Sequence, residues 1–501
     1  MSTLQSLLQP CLARLDRVVS RSRRGAYRIG GVRAVPTLRA AIARSLVIAL
    51  FLVEAASAQQ QPPPYKMLRQ NEDWSDMRDP SRRYDWSDDL KYISLRSRDG
   101  WYASIGGEAR PYYERYTNDD WGNAPKDSSG YMLQRYMLHS DFQLGMHFRL
   151  FAQAKSGIEN GKNGGPGPAD EDLLDFHQTF IDLISRPHPG QSLTLRLGRQ
   201  ELEYGSGRLI SMREGPNVRQ SFDGARLLVQ AGAWRVDSFF VKPVETAPGV
   251  LDDKPISSQT LWGLYAVRPV SRLGKSVTID VFYLGLDRRD AKYQQGEARE
   301  RRHSVGTRIS GQPVNWDYDI EFVYQFGTFG RGNLRAWTTA TQVGYTLSST
   351  RFSPRLGLRA DVSSGDGDPD DSDLQTFYPL FPKGAYFGQL TSVGPLNHRD
   401  LHPTLDLTFP AGLSMTADWV FYWRQSTRDA VYRISGTLAR TGLLSGARNV
   451  GHQPGVEVRW QIDRHAEVTV DYARFLAGPF LRETPPGEDI TYFAAWLTYK
   501  F

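Results

Sequence analysis

The sequence predicts an all-β protein: a transmembrane antiparallel β-barrel of about 18 strands with short periplasmic turns and long extracellular loops. Three observations predict it. From Trp101 onward apolar and polar residues alternate with a period of two. Met146, Phe148, Leu150, Ala152 and Ala154, for example, stand against His147, Arg149, Phe151, Gln153 and Lys155. Successive side chains of a strand point to opposite faces, and no helix sorts residues this way. The connections between such runs alternate in length, short then long, which is the arrangement of bacterial barrels and not of soluble β-sandwiches. Composition agrees. With 40% hydrophobic residues and a mean hydropathy of −0.47, no apolar run long enough for a membrane helix follows residue 58, whereas 12% aromatics and 46 glycines suit strands with one lipid face and one wet face.

The net charge of +6 does not mark a nucleic-acid binder. Residues 1–58 carry nine Arg against Asp16 and Glu54, a net of +7, which leaves −1 for the rest of the chain. Ser45–Ala58 is an apolar core that follows arginines and closes on Ala56-Ser57-Ala58, the grammar of a secretory signal, so a mature chain starting at Gln59 is expected. Glu54 beside the cleavage site and the 44 residues before the core depart from the usual form, and they place the expected translation start downstream of Met1. An arginine-rich mitochondrial transit peptide is the alternative. The single cysteine, Cys11, falls in this leader, so a disulfide or cysteine–metal framework is not expected. Residues 59–100 begin with a proline-rich linker and then mix acids and arginines around Trp74, Tyr84 and Trp86. They read as a periplasmic or lumenal segment, too short for the folded plug of a gated receptor.

Residues 101–501 read as the barrel. The expected strands are 101–116, 131–142, 145–157, 173–185, 191–199, 222–231, 233–242, 260–268, 276–287, 301–310, 317–327, 335–348, 353–363, 401–409, 412–424, 453–462, 466–475 and 490–501. Short turns at 143–145, 186–190, 232, 311–316, 410–412 and 463–465 alternate with long loops at 158–172, 200–221, 243–259, 288–300, 364–400, 425–452 and 476–489. In the final run Phe501, Tyr499, Leu497, Ala495 and Phe493 share one face, and Lys500, Thr498, Trp496 and Ala494 the other. A strand of this length crosses an apolar band of about 25 Å. Its terminal Phe resembles the C-terminal signal of bacterial outer-membrane proteins, which places the expected location in the outer membrane of a Gram-negative bacterium.

Alternation turns Arg110, Arg135, Arg149, Arg235, Arg308, Arg355, Arg359, Arg424 and Arg459 inward, together with carboxylates such as Asp237, Asp319, Glu321, Asp361, Asp418 and Asp471. Two readings are open: paired charges bracing a wide barrel, or an unpaired subset, Arg359 among them, that lines a constriction and attracts anions. The block Leu197–Arg226, with five arginines among glycines and turn residues, is unusually basic for a loop. Together with Gly106-Gly-Glu-Ala-Arg110 and the run Thr376–Phe387, it resembles the alginate export porin family over about residues 65–501. That resemblance implies an 18-stranded outer-membrane barrel with an arginine-rich conduit for the polyuronate alginate, and assigns the conduit to Arg110, Arg135, Arg149, Arg199, Arg208, Arg213, Arg219, Arg226 and Arg459. It also implies polyuronate, outer-membrane lipid and periplasmic polysaccharide-secretion proteins as partners of a monomer. A general or oligosaccharide-uptake porin for small anionic solutes is the alternative function.

No cofactor is expected. The acidic loop Ser363–Asp373 offers Asp366, Asp368 and Asp370 as a weak Ca²⁺ candidate, but it lacks the closing glutamate of an EF-hand loop. An enzyme is not expected either. His139 and Ser140 are neighbours on a strand and face opposite ways, which leaves His177 with Asp175 as the other pair to weigh.

Overall fold

Each alternating run becomes one strand, because a strand with one lipid face and one wet face satisfies its side chains on both. The computed structural model describes residues 64–95, 100–126, 129–270 and 277–501; the expected leader and its cleavage site lie outside the described residues. Eighteen strands form the barrel: β1 (Trp101–Thr117), β2 (Tyr131–Leu144), β3 (Phe148–Asn160), β4 (Asp172–Ser185), β5 (Gln191–Gln200), β6 (Phe222–Ala231), β7 (Trp234–Glu245), β8 (Gln259–Val270), β9 (Val277–Tyr293), β10 (Gly296–Gly311), β11 (Trp316–Phe329), β12 (Gly332–Thr346), β13 (Arg355–Ser363), β14 (His398–Thr408), β15 (Leu413–Arg424), β16 (Asn449–Gln461), β17 (Ala466–Ala477) and β18 (Ile490–Lys500). Each pairs antiparallel with its neighbours in sequence. β1 also pairs with β18, Glu108 opposite Lys500 and Thr117 opposite Thr491, so the sheet closes without an edge.

The two faces separate as the alternation requires. On β11, Phe322 is 48% exposed and its neighbour Glu321 only 4%. The outward face, which includes Phe148, Phe240, Trp419 and Phe493, is exposed because lipid is its intended neighbour. Inside, buried aromatic and aliphatic side chains, among them Tyr204, Phe222, Tyr265, Phe282, Phe377, Phe381 and Tyr432, form a cluster to which strands and inward-folded loops both contribute.

Short connections at 145–147, 186–190, 232–233, 312–315, 409–412 and 462–465 share one end with Phe501. Long ones at 161–171, 201–221, 246–258, 364–397, 425–448 and 478–489 occupy the other. The long loop expected at 288–300 is instead a hairpin: β9 and β10 run on to a two-residue turn at Gln294-Gln295. This part of the hairpin carries charge on both faces because it stands beyond the hydrocarbon, where lipid no longer dictates an apolar outer face, and so it loses the alternation that marks a strand.

Before β1 the chain makes four short 3-10 turns between Arg69 and Leu90, and a two-residue strand, Ile93–Ser94, that pairs with Tyr102 and Ala103. Hydrogen bonds fix this segment at the short-turn end. Arg69 donates to the carbonyls of Gly107 (3.0 Å) and Phe501 (2.8 Å), Arg149 donates to Gln70 O (2.8 Å), and Arg464 to Asp88 Oδ1 (2.6 Å). Lys91 is fully buried, with Nζ donating to Ile105 O (2.8 Å) and lying 5.1 Å, 5.4 Å and 5.9 Å from the rings of Tyr65, Trp74 and Phe501. Burial pushes this amine down to about 7; Arg69 and Arg464 add repulsion, and Glu72 and Asp88 oppose it.

Two predictions follow from this architecture. Cysteines introduced at Ser372 or Leu443, exposed in long loops, will label in intact cells with an impermeant thiol reagent; a cysteine at Val314, in a short turn, will label only after the outer membrane is permeabilised. The buried Lys91 makes docking of the N-terminal segment pH-dependent. The undocked segment binds more protons than the docked one between about pH 7 and the free lysine value of about 10.4, so docking strengthens as pH rises through that window. Limited proteolysis of the segment, with Lys91→Met as internal reference, will show wild type gaining protection with pH and the variant protected throughout. Identical pH profiles for the two proteins would remove Lys91 from the account.

Candidate functional site

The residues 201–221, between β5 and β6, turn into the lumen and cross it. Gly205 and Gly207, at φ of +57° and +74°, reverse the chain, with Gly207 N donating to Tyr204 O (3.0 Å) and Tyr204 N to Ile210 O (3.1 Å). Tyr204 stacks on Tyr265 of β8 at 4.7 Å, and Arg208 pairs with Asp319 of β11 at 2.8 Å. The far part of the loop hangs on the opposite wall. Arg110 of β1 donates to the carbonyls of Glu214 (2.9 Å), Gly215 (3.1 Å) and Pro216 (3.0 Å), and Asn217 donates to Gln134 O of β2 (3.1 Å). Loop 364–397 joins from above: Phe381 N donates to Leu209 O (2.7 Å), Ser211 N to Phe381 O (2.9 Å) and Lys383 N to Gly207 O (2.8 Å).

Charge follows the same line. Glu108 accepts from Arg135 (2.6 Å) and Arg219 (3.1 Å), and Glu214 pairs with both of these arginines and lies 3.7 Å from Arg110. Burial alone would raise the Glu214 carboxyl; attraction from Arg135 and Arg219 outweighs it and holds the group down to about 2. Arg219 also lies 3.8 Å from Glu201, which bonds His177 at 2.8 Å. Three arginines and three glutamates thus make a neutral, buried network across β1, β2 and the loop.

The other predicted conduit arginines are also engaged. Arg149 grips Asp141 with two 2.8 Å bonds, Arg199 bridges Asp223 (2.8 Å) and Asp175 (3.2 Å), Arg226 pairs with Asp237, and Arg459 with Glu457 (3.1 Å). Only Arg213 and Arg359 of the predicted set lack a carboxylate partner among the described residues. Arg213, in the left-handed region at φ +57°, lies 5.6 Å over the Phe381 ring, and burial lowers its pKa; Arg359 donates to Tyr386 O (3.1 Å). The unpaired constriction is therefore reduced to these two, and bracing pairs account for the other eight. On β13 to β17 the balance reverses. Asp361, Asp400, Asp418 and Asp471 are without an arginine or lysine ion pair among the described residues; Asp400 and Asp418 are bonded by His398 (3.1 Å) and His402 (2.7 Å).

Sequence reasoning missed Glu108 and Glu214 as partners. A signal for the first was present, since Glu108 and Arg110 are two apart on one strand and so share a face. In the acidic loop the three candidate aspartates bond to backbone amides and to Arg428. Asp366 Oδ1 accepts Asp368 N (3.0 Å), Asp368 Oδ1 accepts Asp370 N (3.3 Å), and Arg428 bridges Asp368 (2.8 Å) and Asp370 (3.2 Å). Asp366, beside Asp429, is raised to about 6, first by burial. Among the described residues Asp175, Asp252 and Asp253 converge within 4.8 Å of one another, and Arg199 and Lys155 already hold two of them. His177, weighed with Asp175, is bonded to Glu201 instead, and His139 stacks on Phe151 at 5.4 Å.

A family model described as "Alginate export" matches residues 101–494. Among solved structures the chain is similar to three Pseudomonas aeruginosa barrels. OccK3 (OpdO) is 14% identical, TM-score 0.51, over 80% of this chain and 95% of that one. OpdK with vanillate is 11% identical, TM-score 0.53, over 80% and 98%. OccK2 (OpdF) in complex with glucuronate is 10% identical, TM-score 0.52, over 80% and 98%. At such identities the likeness is one of fold. A comparison with curated proteins finds no match.

The buried network predicts an asymmetry between two arginines of the same loop. Arg219→Ala strands Glu108 and Glu214 with too few cations and will cost about 3–5 kcal/mol. Arg213→Ala, which breaks no ion pair, will cost under about 1 kcal/mol. Equilibrium urea unfolding of the detergent-solubilised barrel measures both; equal costs would mean that the network does not hold the loop.

Proposed function

The chain belongs to the alginate export family, and on that premise we propose that its lumen is a passive conduit for an anionic polysaccharide, alginate or a related polyuronate. The protein is an outer-membrane β-barrel porin of a Gram-negative cell. The observation that carries the proposal is the loop of residues 201–221, held across the lumen by Glu214 among Arg110, Arg135 and Arg219. A uronate presents the same carboxylate to the same guanidiniums. Exchange of polymer for Glu214 swaps one ion pair for another, and the carbonyls of Glu214, Gly215 and Pro216 leave Arg110 in the same step. Contacts that are individually weak once wet let the polymer slide on. The conduit works as a monomer and without a cofactor in this reading. Direction is set by periplasmic partners, polysaccharide-secretion proteins for export or a lyase and inner-membrane transporter for uptake.

A second reading, uptake of small anionic solutes, is favoured by the backbone hydrogen bonds that join 201–221 to 364–397, because a small anion passes with less displacement than a polymer. The glucuronate bound by OccK2 is a solute of that size.

Planar-bilayer recording tests the proposal. Wild type will be anion-selective and blocked by oligouronates, with block relieved as salt shortens the Debye length from about 8 Å. Glu214→Gln, which removes the resident competitor, will tighten the block, and the triple replacement of Arg149, Arg219 and Arg459 by Ala will weaken it. A cation-selective wild-type pore, or one that passes neutral sugars as readily as uronates, would overturn the conduit in favour of a general porin.

A further inference from the structure

Outside the lumen, the extracellular half of β7 to β12 carries a second charged surface. Its lower border is aromatic. His303 of β10 lies 6.0 Å from Trp262 of β8, 6.0 Å from Tyr283 of β9 and 5.3 Å from Phe326 of β11, and Tyr324 of β11 is paired with Trp337 of β12. Outward-facing Trp and Tyr at this height mark the level of the lipid headgroups. Toward the long loops the same outward face opens a cleft of about 500 Å³ whose walls include Lys242, Arg289, Arg299 and Arg301 above Phe240 and Trp262.

One carboxylate answers these four cations. Asp287 accepts from Arg299 Nε (3.1 Å) and Nη2 (2.8 Å), and from Arg301 Nε (3.2 Å) and Nη2 (3.0 Å). It orients both guanidiniums and leaves the Nη1 group of each as a donor, with the side chains 61% and 54% exposed. Lys242 donates only to Ser257 O (3.1 Å), and the Arg289 side chain has no ion-pair partner among the described residues. The surplus sits on the membrane-facing wall, at headgroup height, where a solute in the lumen does not reach.

We propose that this cleft holds the phosphorylated headgroup of an anionic lipid of the outer leaflet. A tetrahedral phosphate accepts hydrogen bonds from several sides at once, which suits two pre-oriented forks and a lysine better than a planar carboxylate does. Phe240 and Trp262 lie below to meet the apolar part of the same molecule. The β9–β10 hairpin, charged on both faces, then leans on the headgroup layer instead of standing free in water. Basic pockets beside transmembrane segments recognise headgroups in this way.

Native mass spectrometry of the detergent-solubilised full barrel, titrated with diphosphorylated lipid A, its dephosphorylated form and an oligouronate, tests the assignment. The phosphorylated lipid will be retained and the dephosphorylated one lost. The double variant Lys242→Gln/Arg289→Gln will weaken retention about thirtyfold, the loss expected for two interfacial cations. If the double variant does not assemble, Arg289→Gln alone, at an exposed position without an ion pair, makes the same comparison. Equal retention of the dephosphorylated lipid, retention unchanged in the variants, or displacement by the oligouronate would overturn the proposal, the last by making the cleft a polymer site.

Discussion

Everything in this molecule depends on backbone hydrogen bonds that no solvent can replace. In hydrocarbon an unpaired strand edge is too costly to keep, so β1 must find β18, and the register that joins Glu108 to Lys500 fixes which side chains enter the lumen. Once the sheet is closed, its two faces live in different solvents. The outer face becomes apolar by necessity, and the inner face encloses a space wider than opposed side chains can fill. The chain fills part of that space with loops, whose own backbone groups pair with arginines and with each other.

A lumen lined by charge and filled by loops has to neutralise itself locally. The structure does this in two ways. Guanidinium–carboxylate pairs carry the 201–221 loop, and such pairs specify geometry more than they add stability, because desolvation offsets much of their attraction. They are also exchangeable, since any carboxylate in the same place serves. Loop 425–448 is held differently. Arg424 donates to the carbonyls of Thr427 (2.9 Å), Asp429 (3.1 Å), Gly442 (3.2 Å), Ser445 (2.6 Å) and Ala447 (2.6 Å), with its guanidinium 4.0 Å over the Phe480 ring. Those contacts use backbone carbonyls in place of carboxylates. Loop 201–221 thus combines carboxylate pairs with carbonyl contacts to Arg110, whereas Arg424 holds loop 425–448 through carbonyls alone.

The fold was legible because lipid imposes a rule that local sequence must obey: Phe322 beside Glu321, repeated strand after strand, is enough to count 18. Where the rule lapses the reading lapsed too, as in the β9–β10 hairpin, where the hydrocarbon has ended and Arg289, Arg299 and Arg301 are free to face outward. The lumen was legible only in part. Alternation told which arginines point inward but not what they meet, because partners are set by closure and loop placement: Arg110 finds Glu214 across 104 positions of sequence. Arg359 and Arg213, which lack carboxylate partners among the described residues, look no different in sequence from Arg135, which has two.

The clasp around Arg424 also bears on how this protein can change over generations. Backbone carbonyls are supplied by every amino acid, so five points of attachment place almost no demand on the identities of the residues that provide them. The exposed positions of loop 425–448, Leu443 and Leu444 among them, can therefore drift in sequence, and with them the chemical character of the surface shown to the outside world, while its path is preserved. Gly442 is one exception, since a β-carbon there would lie 2.1 Å from the carbonyl oxygen of Asp429, and the buried Asp429 and Tyr432, bonded to each other, are two more. The strand end that bears Arg424 and these few buried residues form a fixed frame into which varied sequence can be set.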